Sequence, residues 1–251
     1  FLLNISFLRG FFTDYLFTGD SSGWSLTVEE MFYFLFPLMV LASRRVRLSF
    51  QPLLLIGLGL TLEAIFRNVS FHGFFATRQF LFEYTFFGRC VEFYTGIALA
   101  LYLAKRGIRV ATGWPFATLG GLCWIIAGIA GLAINKHYVK DPGWFLFDET
   151  LINNFLLPPG IALLFYGLLC ERSLLRKCLG SSPFILLGKS SYAFYLVHVP
   201  LFGILYYRLG QKPLPVLLII LLIAFLLYIW VEQPLSRLIR GQARKPAQTM
   251  Q

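Results

Sequence analysis

Charge is scarce in this sequence. Only 14% of its 251 residues are Asp, Glu, Lys or Arg, whereas a soluble domain carries about 25%. Acidic residues are the scarcest, 12 against 22 Lys and Arg, which leaves a net charge of +10. There are four cysteines, Cys90, Cys123, Cys170 and Cys178, and no two stand in a C-x-x-C pair. They read as packing residues and give neither a disulfide framework nor a zinc site. The sequence has no Gly-rich phosphate loop, no metal-ligand spacing and no nucleophile elbow. A secretory signal peptide, a soluble domain and a clear internal repeat are also missing. Any chemistry must therefore rest on a few polar residues set within apolar segments.

What the sequence has is hydrophobic length. Apolar residues make up 57% of it and the mean hydropathy is +0.70. Runs near 20 residues long recur, which is the length that crosses a bilayer core. The expected spans cover about 24–42, 51–66, 84–104, 113–134, 151–169, 190–207 and 213–231. The fold class is all-α: a polytopic transmembrane helix bundle of about seven helices, one membrane-embedded domain over residues 1–251, with the lipid bilayer as its first partner. Residues 67–82 and 170–189 read as loops. Pro158-Pro159-Gly160 reads as a kink or break in the fifth span.

A net charge of +10 is compatible with a nucleic-acid partner, but its distribution argues against one. Fourteen basic residues fall in the segments around Arg44–Arg47, Lys105–Arg109, Arg172–Lys189 and Arg237–Lys245, and seven on the alternate side. That asymmetry places the richer side in the cytoplasm. Seven spans then put Phe1 outside and Gln251 inside, with the start of the first span near the outer surface.

That start is Trp24-Ser25-Leu26-Thr27-Val28-Glu29-Glu30-Met31-Phe32-Tyr33. A carboxylate at mid-membrane costs roughly 3 kcal/mol or more. At helical spacing Ser25, Glu29 and Tyr33 share one stripe, and Glu30 is turned about 100° aside. One reading is an interfacial helix start, with Trp24 at the headgroups, Ser25 capping and both carboxylates favouring the helix N-terminus. The other is a functional line of hydroxyl, carboxylate and phenol. Further on, Arg89 and Glu92 stand at i, i+3 inside a span, able to pair either as a packing device or at the wall of a cavity. Gly188-Lys189-Ser190-Ser191-Tyr192-Ala193-Phe194-Tyr195-Leu196-Val197-His198-Val199-Pro200 places Ser191, Tyr195 and His198 at helical steps, with His198 near mid-depth. His198 reads as a proton carrier or substrate donor, or as a structural histidine tied to a neighbouring hydroxyl. His72 and His137 fall in outer loops and read as solvated. Glu232, before Pro234, is positioned to meet Arg237 or Arg240 and reads as structural.

Trp-Ser-Leu-x-x-Glu-x-x-Phe-Tyr, Arg89-x-x-Glu92-Phe93-x-x-Gly96, the Gly188–Pro200 stretch and Glu232-x-Pro234 resemble, in order, the acyltransferase 3 family of integral membrane O-acyltransferases. The resemblance implies a bundle of about ten helices in a bacterial inner membrane, C-terminus cytoplasmic. It implies transfer of an acyl group, acetyl above all, from acyl-CoA (acetyl-CoA) to a hydroxyl of a cell-surface glycan or lipid-linked acceptor. No bound cofactor, metal or nucleic acid is implied. Glu29, Arg89 and Glu92 become candidate catalytic residues. Trp24, Ser25, Tyr33, Ser191, Tyr192, Tyr195 and His198 become candidate substrate contacts. The family's Arg and His about eleven positions apart, the His being its expected base, do not occur before Trp24, nor does its Arg-x-x-Arg element. With a first residue that is not Met, the chain reads as the C-terminal part of a longer protein, inactive alone. The rival class is a transporter or flippase of a glycan or lipid-linked substrate, favoured by polar residues in broken spans.

Overall fold

The computed structural model describes residues 2–6, 8–19, 21–69, 71–138 and 149–243. Among them there is no β-strand, only the isolated bridges Phe12–Phe74 and Ala111–Glu171. The helices are α1 (Leu2–Ile5), α2 (Trp24–Ala42), α3 (Gln51–Phe66), α4 (Arg78–Tyr84), α5 (Phe86–Arg106), α6 (Phe116–Tyr138), α7 (Leu157–Cys170), α8 (Leu174–Leu179), α9 (Ser182–Lys189), α10 (Ser191–Arg208), α11 (Pro213–Leu227) and α12 (Gln233–Ala243). The chain is an all-α polytopic bundle and an integral membrane protein.

Five described helical stretches are long and apolar enough to cross a membrane, and α9 with α10, bent by 62°, makes a sixth. The remaining expected span, α3, has 16 residues, a rise of about 24 Å against a hydrocarbon core of about 30 Å. The two expected loops are partly helical. Residues 67–82 contain the start of α4, and 170–189 contain α8 and α9. At six to eight residues each, these helices are too short to show a helical period against their basic and polar surroundings.

Prolines interrupt the regular α-helical bonding without ending these helices. Pro158 and Pro159 clash with the carbonyls four residues back, Asn154 and Phe155, and those lie in a π turn, Ile152–Leu156. The helix runs through from Glu149 to Cys170. The expected break is a bulge. A second π turn, Tyr228–Glu232, precedes Pro234 in the same way, and the helix continues as α12.

The described chain divides into two compact units, Phe1–Gly19 with Gly23–Lys177, and Asp20–Ser22 with Cys178–Gln251. In the first, α2 turns Trp24, Val28, Met31, Leu35 and Met39, at steps of three and four, toward Phe86, Cys90 and Tyr94 of α5. Phe32 stacks on Phe93 with centroids 4.6 Å apart. Water drives little of this association inside lipid, so close packing and hydrogen bonds must hold it. Tyr94 accordingly donates to buried Gln51 at 2.7 Å. Helices α6 and α7 pack at glycines: a Cβ on Gly121 would lie 2.4 Å from Leu164 N, and one on Gly167 2.4 Å from Thr118 N. The N-terminus of α6 is capped from α7. Glu171 accepts from the Ala117 and Thr118 N–H groups and the Thr118 hydroxyl at 2.8–2.9 Å. In the second unit α11 buries Val216, Ile220 and Ala224, one helical stripe, and packs along α10.

Candidate functional site

The site in the first unit begins with a break between α4 and α5. Thr85 is extended, φ −114° and ψ 153°, and its hydroxyl bonds back to Leu81 O at 2.6 Å. The chain folds so tightly here that a Cβ on Gly88 would stand 2.3 Å from Phe82 Cα. The break frees the carbonyls that end α4, and buried Asn154, in the π turn before α7, donates to that of Phe82 at 2.7 Å and also to Gly88 O, on the first turn of α5, at 3.2 Å. Arg89 follows at once, on the first turn of α5.

Arg89 Nε donates to Glu92 at 2.9 Å, and Nη1 to the Glu83 carbonyl at 3.4 Å. Its guanidinium lies 5.4 Å from the centre of the Trp24 ring, and that ring meets Tyr84 edge to face at 5.0 Å. The pair is half-buried, 28% and 31% exposed. Two of five guanidinium N–H donors are engaged. The structure thus joins Trp24, Arg89 and Glu92 as a cation held on an aromatic face by one carboxylate, with donors left for an anion.

Glu29 stands apart from that cluster. The faces of α2 that pack are those of Thr27–Val28, Met31–Phe32 and Leu35, whereas Glu29, Glu30 and Tyr33 are exposed. Among the described residues no hydrogen bond or ion pair reaches the Glu29 side chain. Ser25 is half-buried and partnered.

In the second unit Tyr195 donates to the Ser22 carbonyl at 2.5 Å. His198 Nδ1 lies 2.6 Å from the Tyr195 carbonyl, and its ring stacks on Phe194 at 5.5 Å. With Nδ1–H donating, Nε2 is left as the acceptor nitrogen. Ser191 does not join them by hydrogen bonding; its hydroxyl turns back to Gly188 O at 2.8 Å, across the α9–α10 bend. Tyr192 is exposed. The expected Glu232–Arg237 pair is not formed among the described residues, and the side chains of Arg240 and His137 lie outside what the structure describes; the backbone at His137 belongs to the last turn of α6 and not to the expected loop. His72 is exposed, as expected of a loop residue, but partnered by Tyr15 at 3.2 Å and Asp14 at 3.7 Å.

Three residues were not foreseen. Glu63 is buried on α3, ion-paired at 2.5 Å with Arg67; the i, i+4 spacing was there to see. Arg9 is buried and bonds to Asn4 and the Thr18 carbonyl. Asn154 carried no local signal, because its partners lie 66 and 72 positions away.

Spans with half-buried charge, assembled from a helix break and a π turn, define a polytopic membrane protein with a polar site inside its helical bundle. The chain belongs to the acyltransferase 3 family, whose model, described as an acyltransferase domain, matches residues 1–232. It is similar to O-acetyltransferase OatA of Staphylococcus aureus, strains NCTC 8325 / PS 47 and COL, at 28% identity over 231 residues and 85% of this chain. It spans 36% of the length of those relatives. No solved structure matches.

Proposed function

We propose that the protein containing this chain is a membrane O-acyltransferase that moves an acyl group, acetyl above all, from acyl-CoA to a hydroxyl of a cell-surface glycan or lipid-linked acceptor. The observation that carries the reading is the half-buried Arg89 cation, clamped by Glu92 and Trp24 with donors to spare. In the reaction the acceptor hydroxyl oxygen bonds to the thioester carbonyl carbon. The carbon–sulfur bond breaks, the thiolate leaves, and the hydroxyl proton passes to a base. Arg89 holds the negative charge that develops on the carbonyl oxygen, and Glu92 fixes its rotamer. Trp24, Ser25 and Tyr33 bind acceptor, and Glu29 orients its hydroxyl. Ser191, Tyr192, Tyr195 and His198 line the path of the donor. No step is given to a metal.

The segments 43–50, 105–112, 170–189 and 235–251 face the cytoplasm of a bacterial inner membrane, where acyl-CoA is available. The relatives' name supports acetyl as the group moved. The rival transporter reading loses one support, a discontinuous helix at Pro158-Pro159-Gly160, because the helix through Pro158 and Pro159 is continuous. Membranes carrying the full-length protein, incubated with labelled acetyl-CoA, test the proposal. Label should accumulate in acceptor, and should fall with Arg89→Gln. Transport of an acceptor analogue with no label incorporated would establish the rival class.

A further inference from the structure

A second cationic feature lies at the far end of α5 from Arg89. A cleft of about 340 Å³ opens where the last turns of α5 and α7 meet, lined by Tyr102, Leu103, Arg106, Arg109, Tyr166 and Cys170. Tyr102 and Tyr166 meet edge to face, centroids 5.8 Å apart, and the Arg106 guanidinium lies 5.2 Å over the Tyr102 ring. Gly107 ends α5 at φ 73°, a left-handed turn that favours glycine. Beyond it the chain brings Arg109 onto the same cleft and Ala111 N–H onto the Cys170 carbonyl at 2.7 Å.

The two guanidiniums are not spent on the protein. Among the described residues neither makes an ion pair or a hydrogen bond. The carboxylate beside them, Glu171, has both oxygens taken by the N-terminus of α6. Several carbonyls near the two helix ends are taken as well: Leu103 by Gly107 N–H, Gly167 by Glu171 N–H, and Leu169 and Glu171 by Arg176. Two arginines therefore share a cleft with aromatic walls and no protein anion to neutralise them.

We infer that this cleft binds a phosphate-bearing ligand, its phosphoryl oxygens between Arg106 and Arg109 and its less polar part against Tyr102, Tyr166 and Leu103. Paired planar guanidiniums match an oxyanion with several acceptor oxygens better than ammonium groups do. The cleft ends two membrane spans, where headgroup phosphates and soluble phosphate esters are the anions at hand. Its volume lies within the range of about 300–1,000 Å³ that small-molecule sites occupy. The inference does not use the acyl-transfer reading, and its test reads binding without turnover.

The test uses the protein reconstituted in phosphatidylcholine nanodiscs, with two probes. Adenosine 3′,5′-bisphosphate, titrated by calorimetry, reports a soluble phosphate ester; phosphatidylglycerol retained on the purified protein, read by native mass spectrometry, reports a headgroup. Arg106→Gln/Arg109→Gln should weaken one probe by about tenfold or more, the loss expected when charge-assisted bonds go. The probe that responds names the source. Arg44→Gln/Arg45→Gln, which removes the same charge elsewhere, should leave that probe unchanged. Arg106→Lys/Arg109→Lys should retain part of the binding, which separates lost contacts from lost fold. Wild-type protein binding neither probe, or equal losses in the Arg44/Arg45 variant, would overturn the inference.

Discussion

The Arg89 guanidinium lies 5.4 Å over the indole of Trp24, although 65 positions separate them in the sequence. The contact ties the first residue of α2 to the first turn of α5. It gives the first two sequence motifs a shared electrostatic role. A cation on an aromatic face in a half-dry site is held by about 1–2 kcal/mol, enough to help fix a side chain whose other anchors are one carboxylate and one long bond to a carbonyl.

That contact sets the first prediction. Trp24→Leu should lower kcat/KM for acetyl transfer by about 5- to 30-fold, the equivalent of the lost cation–π energy. Trp24→Phe, which keeps a ring face, should lose less. Arg89→Lys keeps the charge but not the planar fork and should fall at least as far as Trp24→Leu. Equal activity of the Leu and Phe variants in membranes matched for protein would separate Trp24 from Arg89 function.

A second prediction concerns the α4–α5 break. Asn154→Ala leaves the Phe82 carbonyl, in the last turn of α4, without its donor and removes the bond to Gly88, and should destabilise the fold by about 1–3 kcal/mol. Asn154→Asp should be worse, because an acceptor then faces two acceptors. Thermal unfolding in detergent, followed by near-ultraviolet circular dichroism, ranks the variants; Asp more stable than Ala would contradict the assigned bonds.

The spans, the motif positions and the Arg89–Glu92 pair were legible in the sequence because each is local: a run of about 20 apolar residues, a conspicuous charge within it, a partner three residues on. What was not legible depends on distant partners. Nothing near Asn154 says that its amide serves carbonyls on the two sides of a break, 66 and 72 residues earlier. Ser191, Tyr195 and His198 do fall on helical steps, but the 62° bend at Ser190 recruits Ser191 to the bend itself. Pro158 and Pro159 were rightly read as an irregularity, yet the bulge lies one turn earlier, where their rings meet the backbone.

The third prediction follows Glu171, just past the end of α7. Burial raises its carboxyl pKa, but the Ala117 and Thr118 N–H groups and the Thr118 hydroxyl outweigh that, so the net shift is below the ordinary 4.5. A carboxyl with a depressed folded pKa stabilises the fold fully above its unfolded value. That contribution fades as pH falls through the folded value. Wild-type protein should therefore lose thermal stability between about pH 5 and pH 3 more steeply than Glu171→Gln, the window the lowered pKa defines. Parallel stability profiles for the two proteins would show that the charge contributes nothing.

Topology gives the fourth. With the basic segments cytoplasmic, a single cysteine introduced at Arg176 should resist a membrane-impermeant maleimide in intact cells and react once they are opened. Labelling of Arg176→Cys from outside would invert the orientation and remove acyl-CoA from the side on which the proposed donor path begins.

The last prediction separates Glu29 from Glu30. Both are exposed near the start of α2, and neither has a hydrogen-bonded partner among the described residues. A role limited to the helix dipole or the membrane interface would treat them alike, at about 0.3–1 kcal/mol each. A role in acceptor binding would not. Glu29 shares its stripe with Ser25 and Tyr33, four residues to either side, while Glu30 points about 100° away. Glu29 and Tyr33 are exposed, away from the packed face of Val28, Met31 and Leu35, so they are open to a ligand rather than committed to the core. In the full-length protein Glu29→Gln should therefore remove most acetyl transfer at unchanged membrane expression, and Glu30→Gln should retain most of it. Gln preserves size and much of the hydrogen bonding, so the comparison isolates charge. Acetyl incorporated into acceptor, per amount of protein in the membrane, is the quantity to measure. Equal and mild losses in the two variants would assign both carboxylates to the interface and remove Glu29 from acceptor binding.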